Sequence, residues 1–297
     1  MSHTKIYARW RTEKPKEAGY SHELISTDFD KIKDSTNQDE LNVQIYPGVD
    51  TLLKAIQRRC NDPNMKNLPW FGAKGNGKYD WQSTAEVHDE AKMFASGCMA
   101  LNLVPEVEAE DRKWRFFGIQ AKNRTEWFKI HVANMYTGAT TVALYDTLGV
   151  EATMYVLDQT EMTTVGCSKD IVHKIVTMKC EDDTGKLDKL KNLVCFEGDV
   201  DKEDLEKADK CGIKVFTYGE VLEQGKNNKN FEPYEPKPDD IPMFSYTSGT
   251  TGDPKGVKLS HKMLLMAASS VNLRMDKYAL NASDRYISYL PAAHSFE

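Results

Sequence analysis

Residues 246–257 read Tyr-Thr-Ser-Gly-Thr-Thr-Gly-Asp-Pro-Lys-Gly-Val, a dense set of groups able to grip an anion. The hydroxyls of Thr247, Ser248, Thr250 and Thr251, the glycines Gly249, Gly252 and Gly256, and Lys255 fall within eleven positions. Glycine admits positive φ and close backbone approach, so successive N–H groups can converge on a phosphate. Hydroxyls add donors, and lysine adds a mobile point charge for a terminal phosphate. The chemistry is that of a polyphosphate cradle. A bland surface loop joining a strand to a helix accounts less well for the donor density and the Pro-Lys-Gly finish. The stretch is neither a P-loop, since the lysine precedes its glycine, nor a Gly-x-Gly-x-x-Gly dinucleotide fingerprint.

The elements around it must hold this loop in place. An apolar run, Ile241-Pro-Met-Phe-Ser-Tyr246, leads in, and a helix is expected from Ser260. Upstream, apolar runs at 115–120, 140–144, 162–166, 192–196 and 213–217 read as strands. Helical patterns near 125–137, 149–159, 169–180 and 201–209 lie between them. Short apolar strands alternating with helices imply βαβ units around a parallel sheet buried on both faces, an α/β fold. Ser83-Thr-Ala-Glu86 has capping-box spacing before a helix ending near Asn102. Trp70 to Trp81 reads as a hairpin turning at Gly75-Asn-Gly77, and Asp50 is placed to cap a helix over 51–56. Residues 1–40 read as an irregular lead-in and 225–240, with three prolines, as an exposed connector between one sheet system and the next. The division expected is 1–40 lead-in, 41–240 first α/β subdomain, and 241–297 the start of a second subdomain carrying the loop.

Bulk properties narrow the partners. The 297 residues carry 39 basic and 45 acidic side chains, a net charge of −6. That balance speaks against nucleic acid, whose binding depends on cation contacts to phosphates. The six cysteines are scattered without a Cys-x-x-Cys pair and read as buried, reduced thiols of a cytosolic protein. Neither the apolar core of a signal peptide nor roughly 20 apolar residues for a membrane span is found.

The loop resembles the phosphate-loop signature of the adenylate-forming (AMP-binding) superfamily: acyl-CoA synthetases, luciferases and peptide-synthetase adenylation domains. Gln120-Ala-Lys-Asn-Arg-Thr-Glu-Trp127, Val142-Ala-Leu-Tyr-Asp-Thr-Leu-Gly149 and Tyr289-Leu-Pro-Ala-Ala-His-Ser-Phe-Glu297 narrow the resemblance to long-chain acyl-CoA synthetases. The resemblance implies a two-step ligase using ATP and Mg2+. A fatty acid carboxylate attacks the α-phosphorus of ATP, and the thiol of coenzyme A then displaces AMP. Lys255 would hold the β/γ-phosphates, the loop residues 247–252 and Gly256 would line the nucleotide, and His294 would orient the carboxylate; the Mg2+-binding hydroxyl stays unassigned. Fatty acid, ATP and coenzyme A are the implied partners. Peripheral contact with endoplasmic reticulum or another membrane, on its cytosolic side, is implied because the acids partition into lipid. His261 reads as locally structural after an N-cap Ser260, Asp146 as a turn or N-cap residue, and Trp127, Tyr136 and Tyr145 as core. The family's adenine-binding region, hinge and C-terminal domain are expected beyond Glu297, which would make this chain an inactive N-terminal portion. Two alternatives stand: another adenylate-forming ligase of coumarate or adenylation-domain type, or a non-catalytic nucleotide-binding module ending at Glu297.

Overall fold

The computed structural model describes residues 8–13, 15–27, 46–110, 112–247, 253–275 and 280–294. The lead-in is not wholly irregular. β1 (Ala8–Trp10) and β2 (Leu24–Ser26) pair antiparallel. α1 (Leu52–Asn61) is capped by Thr51, whose hydroxyl accepts from the Lys54 N–H; Asp50 instead pairs with the Lys54 ammonium at 2.7 Å. β3 (Pro69–Gly75) and β4 (Lys78–Ser83) form the expected hairpin, with Asn76 (φ 44°) and Gly77 (φ 82°) taking the left-handed turn positions. α2 (Thr84–Ala100) begins with the expected capping box, both halves formed between Ser83 and Glu86.

The charged stretch after α2 forms a strand. β5 (Glu106–Ala109) pairs antiparallel with the start of β6 (Arg112–Gln120), and Glu106 meets Lys113 at 2.8 Å and Arg115 at 3.1 Å across the ladder. The βαβ series then follows the expected alternation: α3 (Thr125–Thr137), β7 (Thr140–Leu144), α4 (Val150–Thr160), β8 (Thr164–Cys167), α5 (Lys169–Cys180), β9 (Asn192–Cys195), α6 (Lys202–Lys210) and β10 (Lys214–Thr217). α7 (Tyr218–Asn227) opens on a second capping box, Thr217 with Glu220, and reaches into the stretch expected to be connector. β11 (Met243–Thr247), β12 (Lys255–Leu259) and α8 (His261–Met275) complete the series, with Ser260 capping α8 through the Met263 N–H.

The main sheet runs β10-β9-β8-β6-β7-β11-β12, parallel from β10 to β11, with β12 antiparallel at its end. No change of sheet follows the proline-rich connector, because β11 pairs with β7. The connector is exposed along most of its length yet pinned, by Tyr234 N–H to Tyr136 O at 2.7 Å and Lys262 N–H to Pro238 O at 2.9 Å. Both sheet faces are dry, as a parallel sheet requires. On one face Phe117, Ile119 and Val194 meet Phe94, Trp127, Ile130 and Val221 of α2, α3 and α7. On the other, Phe116, Val142, Val165 and Leu193 meet Val156, Ile171, Ile175 and Ala208 of α4, α5 and α6. Trp127 and Tyr136 are buried as expected. α2 and α7 cross so closely that a Cβ on Gly97 would stand 1.9 Å from Val221 O, and one on Gly225 1.9 Å from Met93 O. Among the described residues no helix is long and apolar enough to cross a membrane.

Candidate functional site

The parallel strands deliver the ends of β6, β7, β8, β9 and β11 to one edge of the sheet. The chain leaves β6 toward β7 on one side and leaves β8 toward β9 on the other, so β6 and β8 flank the topological switch point. Open α/β sheets bind ligands in the crevice outside such carboxyl ends. A crevice of about 270 Å³ lies there, lined by Lys122, Asn123, Arg124, Asp146, Ser168 and Asp170. A larger cavity of about 430 Å³, lined among others by Arg112, Thr140, Tyr234 and His261, opens at the opposite, amino-terminal edge. Topology favours the smaller one.

Arg124 organises the crevice. Its guanidinium grips Glu126 at 2.8 and 3.2 Å and Glu197 at 2.5 Å, while Glu197 also accepts the Lys169 N–H at 2.8 Å. Burial pushes the Glu126 carboxyl up, but the Arg124 hydrogen bonds outweigh it and hold the group below its ordinary value. The loops after β6, β8 and β9 are thereby tied together. Gln120 ties β7 in through its amide, which donates to Tyr145 O at 3.1 Å. Asp146 sits in the turn after β7; the N-cap of α4 is Gly149, so of its two expected roles it takes the turn.

The cradle lies two strands away on the same edge. Thr247 ends β11, Lys255 begins β12 directly opposite, and the Thr247 hydroxyl donates to Lys255 O at 3.4 Å. Both side chains are exposed, and among the described residues no carboxylate pairs with Lys255. The loop therefore tops a hairpin, not a strand-to-helix turn, and the helix begins only after β12. Ser248, Gly249, Thr250, Thr251 and Gly252 lie outside the described residues. Gly256 faces the Tyr246 ring, where a Cβ would stand 3.1 Å from the ring carbon bearing the hydroxyl. Tyr246 in turn donates to Gln159 at 2.7 Å. A side chain at 256 would have to move the Tyr246 ring aside by a few tenths of an ångström.

His294 is exposed at the end of a turn, its N–H donating to Pro291 O at 2.8 Å, just after the buried Ala292 and Ala293. Asn123, a residue the sequence reading did not single out, docks this segment. Its amide donates to Ser288 Oγ at 2.8 Å and to Leu290 O at 2.5 Å, and its oxygen accepts from Ala292 N–H at 2.7 Å. Asn123 places the His294 segment at the β6 end of the edge, while Thr247 and Lys255 stand at the β11 end with β7 between. Motif spacing has no signal for a contact between positions so far apart.

His261 is structural, though not locally so. It is 1% exposed, and its Nδ1 accepts the N–H of Leu52 at the start of α1 at 3.2 Å. Burial pushes its imidazole down to about 4, against the raising influence of Asp240 and Asp50, so the ring is neutral and Nδ1 is free to accept. Among the described residues no cluster of three or more His, Cys, Asp or Glu could hold a metal ion. The Thr247 hydroxyl is one oxygen that the described residues place beside Lys255.

The family model for AMP-binding enzymes matches residues 53–297. Fatty acyl-CoA synthetase B of Dictyostelium discoideum is 32% identical over 86% of this chain, and long-chain-fatty-acid–CoA ligase 1 of Cavia porcellus is 31% identical over 93%. The aligned parts are 35% and 38% of those proteins, so the chain spans well under half of their length. Among solved structures, the adenylation domain of a carboxylate reductase from Mycobacterium chelonae superposes with a TM-score of 0.64 at 17% identity, covering 91% of this chain and 42% of its own. The A-PCP didomain of a carboxylic acid reductase from Segniliparus rugosus, in complex with AMP, gives 0.57 at 18% identity over 85% and 40%. At such identities the structural matches speak for the fold alone.

Proposed function

The chain belongs to the AMP-binding enzyme family, and from that premise we propose that it serves the ATP-dependent activation of a long-chain fatty acid to its acyl-adenylate and acyl-CoA. The observation that carries the reading is the hairpin of β11 and β12, which holds Thr247 and Lys255 opposite each other at the carboxyl edge of the sheet. A hydroxyl and an exposed ammonium at the mouth of a Gly/Thr loop are the donor set a polyphosphate needs.

In this reading Lys255 neutralises the β/γ-phosphates, and Thr247 with residues 248–252 supplies the remaining donors. Mg2+, held by phosphate oxygens and a loop hydroxyl, would screen phosphate charge. His294, docked through Asn123, orients the carboxylate, so that this part of catalysis is positioning. The long-chain preference rests on the relatives and on the Leu144-Tyr-Asp-Thr-Leu-Gly149 run.

The test has two arms. Calorimetric titration of this chain with ATP and Mg2+ examines the cradle. Pyrophosphate exchange into ATP by a protein carrying this chain at the full length of its relatives, driven in turn by a long-chain fatty acid, a coumarate and an amino acid, examines the acid. The reading expects ATP binding that Lys255→Ala weakens, and exchange that only the fatty acid supports. Absence of ATP binding would refute the cradle, and exchange driven by coumarate or an amino acid would move the protein to another branch. ATP binding without exchange for any acid would support a non-catalytic nucleotide module.

A further inference from the structure

The scattered cysteines do not share one environment. Cys98, Cys167 and Cys195 are buried, and Cys60 sits in α1 with its thiol pushed up to about 11 by burial. Cys180 and Cys211 differ from these. Cys180 is the last residue of α5 and is exposed; Cys211 is the C-cap of α6 and half-buried. Each thiol reaches onto the other's helix. The Cys180 Sγ donates to Lys207 O at 3.4 Å, and that same carbonyl accepts the Cys211 backbone N–H at 3.2 Å. In return the Cys211 Sγ lies 4.0 Å from Val176 O, one turn before Cys180, and 3.5 Å from Ala208 O. The Lys207 ammonium, 3.5 Å from Thr177 Oγ1, closes the same seam. The two thiols thus meet in one seam between the carboxyl ends of α5 and α6.

We propose that Cys180 and Cys211 form a dithiol site that a peroxide closes into a disulfide, stapling the carboxyl ends of α5 and α6. The exposed Cys180 thiol gives its proton to solvent and the thiolate attacks the peroxide; the O–O bond breaks, hydroxide leaves and takes up a proton as water, and a sulfenic acid forms on Cys180. The Cys211 thiolate then attacks that sulfur, the S–O bond breaks, and a second water leaves. Two thiols are oxidised by two electrons and one peroxide is reduced to two waters. Burial first, and then the neighbouring Cys180, push the Cys211 thiol up to about 11, so the closing step quickens as the solution becomes more alkaline.

The full chain is treated with equimolar hydrogen peroxide, its remaining thiols are alkylated, and the digest is read by mass spectrometry. A peptide pair joined through Cys180 and Cys211, two hydrogens lighter and restored by reductant, is expected. It should vanish in Cys180→Ser and in Cys211→Ser, persist in Cys60→Ser, and form faster at about pH 9 than at about pH 7. Both cysteines recovered alkylated would overturn the proposal. So would Cys180 linked to Cys180 of a second chain, or oxidised beyond the sulfenic state without a link.

Discussion

Acid should loosen this fold before its carboxylates begin to titrate, and His261 is the residue that decides it. The ring is 1% exposed, accepts the Leu52 N–H, and titrates only near 4. Below the ordinary histidine value of 6.5 the unfolded chain takes up a proton that the folded chain refuses. The neutral ring's contribution is therefore complete above about pH 6.5 and is lost as pH falls toward about 4. At pH 5 the linkage amounts to about 2 kcal/mol, from a shift of about 2.5 units at 1.36 kcal/mol each, truncated by the pH chosen. His131, also pushed down to about 4 by burial and then by His261, accepts or donates at Thr141 Oγ1 at 2.9 Å. It keeps some surface exposure, so solvent makes its share the smaller. Together the pair accounts for roughly 3 kcal/mol, a large part of a typical stability of 5–15 kcal/mol. Urea unfolding followed by tryptophan fluorescence at pH 7.5, 6 and 5, all above the ordinary carboxylate range, isolates these rings (about one pH unit apart suffices). In His261→Asn the amide oxygen can still accept from Leu52, and the fall in stability between pH 7.5 and 5 should shrink by about two thirds. An unchanged fall in the double variant His131→Asn/His261→Asn would refute the reasoning.

Three further outcomes follow from the same geometry. Gly97→Ala and Gly225→Ala, which helix propensity alone would favour by about 1 kcal/mol, should each destabilise by about 1–3 kcal/mol, because the new Cβ meets backbone at 1.9 Å; urea midpoints check this. Asn123→Ala should free the Ala292 amide and speed its hydrogen exchange by roughly tenfold or more, from about 1–3 kcal/mol of lost hydrogen bonding, while Asn123→Asp keeps the acceptor and most of that protection. At the cradle, Lys255→Ala should weaken ATP binding about tenfold and Gly252→Val more, since a lysine supplies a mobile charge whereas a glycine permits backbone approach; calorimetry ranks the two, and equal or reversed losses would count against a backbone cradle.

The central sheet was legible because its inner parallel strands are buried on both faces and so appear as apolar runs between polar turns. β5 and β12 escaped that logic for opposite reasons. β5 satisfies its charges sideways, Glu106 against Lys113 and Arg115, so a charged stretch could still be a strand. β12 is exposed from Lys255 to Lys258 and owes its form to the ladder with β11, a partner that a period count does not see. α7 carries a readable signal, the Thr217 and Glu220 capping box, set between an apolar run and the prolines. His261 shows the limit most clearly. Its place beside the Ser260 cap points to a local structural role, but the helix it serves begins 209 residues earlier.

The candidate site depends on one consequence of parallel pairing. Because β6, β7, β8, β9 and β11 run the same way, every loop that follows them arrives at a single edge, and residues more than a hundred positions apart become neighbours there without a motif to announce it. Arg124 with Glu126 and Glu197 fixes the β6, β8 and β9 loops, and Asn123 fastens the His294 segment to the first of these. Thr247 and Lys255 are fixed separately, by the β11 ladder to β7 and the β12 hairpin. β7 stands between the two halves, pairing with β6 on one side and β11 on the other, and so sets their spacing. Substitutions that loosen β7, such as Thr141→Val, which removes the hydroxyl accepting from Asn134 at 2.8 Å, should disturb both halves at once. Perturbing Asn123 or Lys255 should disturb only one. Hydrogen exchange over 288–294 and over β12, measured in the same variants, distinguishes a shared scaffold from two independent sites. Protection lost in both segments from Thr141→Val alone supports the scaffold, and loss in neither would refute it.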